Sequence, residues 1–136
     1  IQVLDYCTPS VVNIDDDLGI SRVAFGDIDN SSSVGKAAYT NYTHISTEVE
    51  RGYSYELTVE RATANKSMNR KVWIDWNIDG DFDDAGELVS VEDESNSLSF
   101  VDTIKIDPAA KAGKTRMRVG TSYKKQKNIA CGPHAF

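Results

Sequence analysis

Gly52-Tyr53-Ser54-Tyr55-Glu56-Leu57-Thr58-Val59-Glu60 puts Tyr53, Tyr55, Leu57 and Val59 on one side and Ser54, Glu56, Thr58 and Glu60 on the other. A period of two belongs to a β-strand with one face in a core and one in water. The same pattern recurs on both sides of this stretch, in runs bounded by Gly, Asn, Asp or Ser. Residues 20–28 set Val23 and Phe25 on one face and Ile20, Ala24 and Ile28 on the other, so both faces are expected to be covered. Residues 72–77 and 87–91 are the next two strands. Residues 98–106 follow, with Leu98, Phe100, Ile104 and Ile106 as expected core and Pro108 as the stop. Residues 115–123 set Met117, Val119 and Thr121 against Arg116, Arg118 and Gly120. Helical periodicity is nearly absent. Short strands at this spacing, with no helices between them, predict an all-β antiparallel β-sandwich, jelly-roll-like or immunoglobulin-like.

At 136 residues the chain has room for one domain with a real core, spanning residues 1–136. No apolar run approaches the roughly 18 residues of a membrane span, and no charged-then-apolar leader opens the chain. Membrane insertion is therefore not expected, and the sequence reads as a mature or excised soluble domain. Two cysteines, Cys7 and Cys131, lie near opposite ends. Their spacing excludes a zinc knuckle or a Cys-x-x-Cys redox pair. Either they form a disulfide joining the ends of a secreted domain, or they are two reduced buried thiols of a cytosolic one. A sandwich with neighbouring ends brings them within the roughly 4.4–6.8 Å that a bridge needs, and the disulfide is the expectation adopted here.

The net charge of −6 has a local origin. Asp75, Asp79, Asp81, Asp83, Asp84 and Glu87 fall within thirteen residues that contain no Lys or Arg. Without those six acids, fifteen carboxylates face fifteen bases. Phosphate binding needs a basic surface, so a nucleic-acid partner is disfavoured. A local cation site is favoured instead. Oxygen donors alternate at Asp75, Asn77, Asp79 and Asp81, and Gly80 sits where a calcium loop turns sharply. An EF-hand would place its bidentate Glu at the twelfth position, which is Gly86, whereas Glu87 is the thirteenth. The flanks are strands rather than helices. The expectation is a Ca2+ loop between strands, with Asp75, Asn77, Asp79 and Glu87 ligating through side chains and Asp81 through its carboxylate or carbonyl. Mg2+ prefers fewer carboxylates and more water, and zinc would want Cys or His nearby.

The residues also resemble a known family, the bacterial GEVED domain. The likeness runs through Tyr6-Cys7, Ile20-Ser21-Arg22-Val23, Phe25-Gly26, Tyr39-Thr40-Asn41-Tyr42-Thr43 and residues 52–59. It continues through residues 72–87, Thr115-Arg116-Met117-Arg118-Val119 and Ala130-Cys131-Gly132. Its most specific piece is Trp73-Ile74-Asp75-Trp76-Asn77 with Asp79-Gly80-Asp81-Phe82. The resemblance implies a β-sandwich module appended to secreted bacterial peptidases, other hydrolases or adhesins, hence an extracellular or cell-surface place and an accessory role. The chain stops at Phe136, about where the family reads Tyr-Gly-Glu-Val-Glu-Asp-Tyr. A truncated domain without its last strand is expected on that ground.

No Gly-x-Ser-x-Gly, His-Glu-x-x-His or phosphate loop occurs, and His44 and His134 stand alone in sequence. An enzyme is not expected. Tyr39, Tyr42 and Trp76 are the candidate ligand-binding aromatics, although rings of this kind also pin loops. Trp73 and Trp76 fall on opposite faces of their strand, one for the core and one over the loop or exposed. Lys124-Lys125-Gln126-Lys127, with Arg116 and Arg118, makes a basic patch, which is more often a solvated face. The expected function is a non-catalytic, calcium-stabilised accessory module that binds an extracellular polymer, a collagen-like matrix protein or a glycan. It would hold catalytic or adhesin domains of its parent near their target. The alternative is a structural spacer or folding module whose ligand is calcium alone.

Overall fold

The computed structural model describes residues 6–8, 11–13, 19–32, 40–62, 67–123, 130–131 and 134–135. Among them nine strands follow one another: β1 (Val11–Asn13), β2 (Ile20–Phe25), β3 (Ile28–Ser31), β4 (Ser54–Arg61), β5 (Met68–Ile74), β6 (Leu88–Ser95), β7 (Ser99–Lys105), β8 (Met117–Tyr123) and β9 (His134–Ala135). A four-stranded sheet runs β3-β2-β4-β7 and a three-stranded sheet runs β6-β5-β8, with every pair antiparallel. β1 and β9 pair in parallel. No helix occurs among the described residues, and so none is long and apolar enough to cross a membrane.

The two sheets face each other as a sandwich. Phe25, Leu57, Val59 and Ile104 from one sheet meet Val72 and Ile74 from the other, joined by Trp76, Ile106 and Ala110 from the connections. Leu57 and Val59 are fully buried, and each such side chain contributes about 1.5–3 kcal/mol. Arg70 on β5 is also buried, and its guanidinium is fully engaged. It ion-pairs with Glu92 and donates to the carbonyls of Val59, Leu98 and Ser97 at 3.0–3.1 Å. These bonds sew the crossing between β6 and β7 onto β5, which sits at the centre of its sheet.

Four details differ from the sequence reading. Residues 20–28 are two strands, because Gly26 takes a left-handed φ of 58° and turns the chain with Asp27. A bulge between Ile20 and Arg22 then lets both Ile20 and Val23 reach the core. Tyr53 is 61% exposed. Its carbonyl accepts from Ile106 N at 2.8 Å just after the turn at Gly52, so the inward series begins at Tyr55. Leu98 is 50% exposed. It lies in the β6–β7 connection, where its carbonyl, not its side chain, is used, accepting from Arg61 N and Arg70 Nη1. β5 also begins earlier than expected and ends at Ile74, leaving residues 75–87 as the β5–β6 connection.

Candidate metal centre

That connection is the acidic segment, folded back on itself by hydrogen bonds to its own carboxylates. Asp75 is completely buried. Its Oδ1 accepts from Asp79 N at 3.2 Å, and its Oδ2 accepts from Gly80 N at 3.0 Å and from the Tyr6 hydroxyl at 2.6 Å. Glu87, equally buried, accepts from Trp76 N and Asp84 N, both at 3.1 Å. Asp79 Oδ1 accepts from Asp81 N, and Asp81 Oδ1 from Asp83 N. Gly80 makes the sharp turn with φ 92°. Ile78 is also left-handed, at 56°, a conformation that is unusual for a β-branched residue. Such strain persists only where the surroundings over-determine it.

The flanks hold the segment in place. Ile74 N donates to Glu87 O at 2.9 Å across the hairpin neck. The Thr115 hydroxyl donates to Asp75 O, and Asp75 N to Arg116 O. Trp76 lies in the sandwich core, 9% exposed, with its indole N–H donating to Gly86 O at 2.9 Å. Trp73, on the opposite face, packs with Phe82 of the segment and with Tyr6 and Ala130. The Tyr6 and Phe82 rings lie 5.3 Å apart. The Arg116 guanidinium covers Tyr6 at 4.3 Å, and that of Arg118 covers Phe82 at 4.9 Å. Arg118 is thus buried in this layer rather than part of a solvated basic patch. Its guanidinium also donates to Cys7 Sγ at 3.1 Å and Ala130 O at 3.0 Å. Cys7 and Cys131 are joined, with their Cα atoms 5.6 Å apart, so the second layer is closed covalently.

The carboxylates of the segment form two overlapping groups, which take in four of the predicted donors and add Asp84. Asp75, Asp79 and Glu87 offer carboxylate oxygens within 4.8 Å of one another, and Asp79, Asp81 and Asp84 do the same. Asn77 turns its amide nitrogen to Asp79 at 3.2 Å and to Asp84 at 2.9 Å, bridging two carboxylates. Neither Asp75 nor Glu87 has an Arg or Lys ion-pair partner among the described residues. Burial, and then the charges of Asp75 and Asp84, push the Glu87 carboxyl up from its ordinary value. Burial acts against Asp79 too, but hydrogen bonds from Asp81, Asp84 and Asn77 hold it below the usual range. The Asn77 amide pulls Asp84 down, and Asp79 and Asp81 push it up by more. Burial, then the bond to Asp75, push the Tyr6 hydroxyl up to about 12, so it remains a donor. Buried carboxylates without a cation partner are costly, and a bound divalent ion removes that cost. The donors are all oxygens, a set that suits a hard cation.

A family comparison bears on this segment. The GEVED domain profile matches residues 69–136, half of the chain, including the acidic connection and everything after it. The chain belongs to the GEVED family. No curated protein and no solved structure matches it at a significant level. In this GEVED domain the residues that the sequence reading overlooked are Tyr6, Asp84 and Thr115. Tyr6 lies 69 positions from Asp75, and only its place beside Cys7 hinted at where it would go. Of the candidate ligand-binding aromatics, Tyr42 is 37% exposed beside His44. Tyr39 and the residue 124–127 patch lie outside the described residues. An open groove of about 360 Å³ runs past Trp76, Leu88, Val89, Ile104, Lys105 and Pro108.

Proposed function

We propose that this GEVED domain is a non-catalytic accessory module of a secreted bacterial protein, stabilised by calcium and used to hold its parent against an extracellular polymer, matrix protein or glycan. The observation that carries the metal half of this reading is the convergence of Asp75, Asp79 and Glu87, two of them fully buried and without a cationic partner among the described residues. Asp75, Asp79 and Glu87 would hold the ion, and Asp81 or Asp84 would add oxygens at the exposed rim. Disulfides persist in oxidising compartments, so Cys7–Cys131 supports an extracellular setting.

The binding half is supported by the side of the sandwich where β6 and β7 are both edge strands. Leu88, Val91, Leu98 and Val101 are exposed along it, next to the groove. Edges with exposed apolar residues are places where a partner adds. Retention on insoluble collagen, chitin, cellulose and cell-wall material, with and without chelator, is the test. Calcium-dependent retention on one of them is the expected result. No retention on any of them, together with a calcium-dependent melt, would reduce the domain to a structural spacer.

A further inference from the structure

Resting on the cation site just proposed, we propose that the Cys7–Cys131 disulfide and that site are one linked unit, with Tyr6 as the positioning residue that couples them. Cys7 is bonded to Cys131, and its neighbour Tyr6 is thereby fixed over the acidic segment. The Tyr6 ring rests on Phe82 under the Arg116 guanidinium, and its hydroxyl donates to Asp75 Oδ2 at 2.6 Å. The other donors to that carboxylate are backbone amides of the segment itself, Asp79 N and Gly80 N. Tyr6 is therefore the one side chain, among the described residues, that anchors the Asp75 carboxylate from outside the segment, Thr115 reaching only its backbone carbonyl.

A carboxylate fixed by an outer hydrogen bond meets a cation already oriented, and losing such a bond typically lowers metal affinity about 10–100-fold. Opening the disulfide frees residues 6–8 to leave the Phe82 surface, and the anchor goes with them. Reduction by a dithiol breaks the Sγ–Sγ bond with two electrons and two protons. It yields two thiols, and the dithiol closes to its own cyclic disulfide. Because binding couplings are reciprocal, calcium protects the bond by the same factor by which the bond strengthens calcium binding.

Calcium titration calorimetry on four samples tests this: wild type and Tyr6→Phe, each oxidised and reduced. The expected result is an affinity about tenfold lower on reduction of wild type, and about tenfold lower for oxidised Tyr6→Phe. Little further loss is expected when both changes are combined, because both remove the same anchor. In a dithiol redox buffer, saturating calcium should lower the midpoint potential by about 30 mV for each tenfold of coupling. A bond that acted only by tightening the fold would leave oxidised Tyr6→Phe at wild-type affinity, so that variant separates the two routes. Equal calcium affinity in oxidised and reduced wild type would overturn the linkage and leave the cation site standing. Should the reduced protein unfold by circular dichroism, oxidised Tyr6→Phe decides alone, and unchanged affinity there overturns the proposal. An oxidised wild type that takes up no calcium overturns the cation site and the linkage together.

Discussion

Glu87 concentrates the cost of the acidic segment in one side chain. Its carboxyl is raised from the ordinary 4.5 by burial and by neighbouring acids, so in the cation-free protein its ionisation opposes folding. A raised acid stabilises fully below its unfolded value and loses that contribution as pH rises through its folded value. Melts in chelator should therefore show a decline in stability above about pH 4.5 that Glu87→Gln flattens. In excess calcium the ordering inverts, with wild type melting above Glu87→Gln at pH 7. At a hundredfold excess over Kd, calcium adds about 2.7 kcal/mol. A melt that does not move with chelator, with Asp79→Ala equally silent, would remove the site. Ser122 provides a contrast on β8. Its hydroxyl is fully buried and has no hydrogen-bond partner among the described residues. Replacing an unsatisfied buried group by an apolar one is neutral or stabilising, so Ser122→Ala should melt at or above wild type by calorimetry.

The elements rest on a few local geometries that composition only half reveals. Gly26 turns β2 into β3 at φ 58°, and a Cβ there would meet Thr47 Oγ1 at 2.6 Å. That hydroxyl is already accepting from Asp27 N at 2.9 Å. Gly26→Ala should cost about 1–3 kcal/mol in denaturant melts, through both the left-handed strain and the lost Thr47 bond. Leu57→Ala, in the middle of β4, should cost about 2–5 kcal/mol. Alternation made β4 and the inner face of β8 legible from sequence, since their periodicity is a direct trace of burial. The convergence of Asp75, Asp79 and Glu87 was foreshadowed by donors at alternate positions ahead of a turning Gly80, a spacing that folds a segment back on itself. Leu98 was misread because an apolar side chain beside a strand looks like core when its backbone is the part in use. The β2–β3 turn was missed because Gly-Asp sat inside an apolar run. Tyr6 was out of reach, since nothing local ties a residue before β1 to a carboxylate 69 positions on.

At the scale of the whole molecule, the sandwich has one core between its sheets and a second layer on the outer face of β5 and β8, where Trp73, Phe82, Tyr6 and Ala130 meet. The covalent link belongs to that outer layer and closes a loop of 124 positions. Chain entropy assigns such a closure about 4–5 kcal/mol, an upper figure. Equilibrium unfolding with and without reductant should approach that difference. The same link has a mechanical meaning. A load applied to the two ends of this chain enters at Cys7 and leaves at Cys131, a path of 5.6 Å between Cα atoms. Everything between them, both sheets and the acidic segment, stands in parallel with a covalent bond and carries almost no tension. In an optical trap the oxidised domain should behave as a short inextensible link. The reduced one should release an extra contour on the order of 400 Å, at roughly 3.3–3.6 Å per residue. In any series of segments pulled end to end, the oxidised domain would be among the last to lengthen.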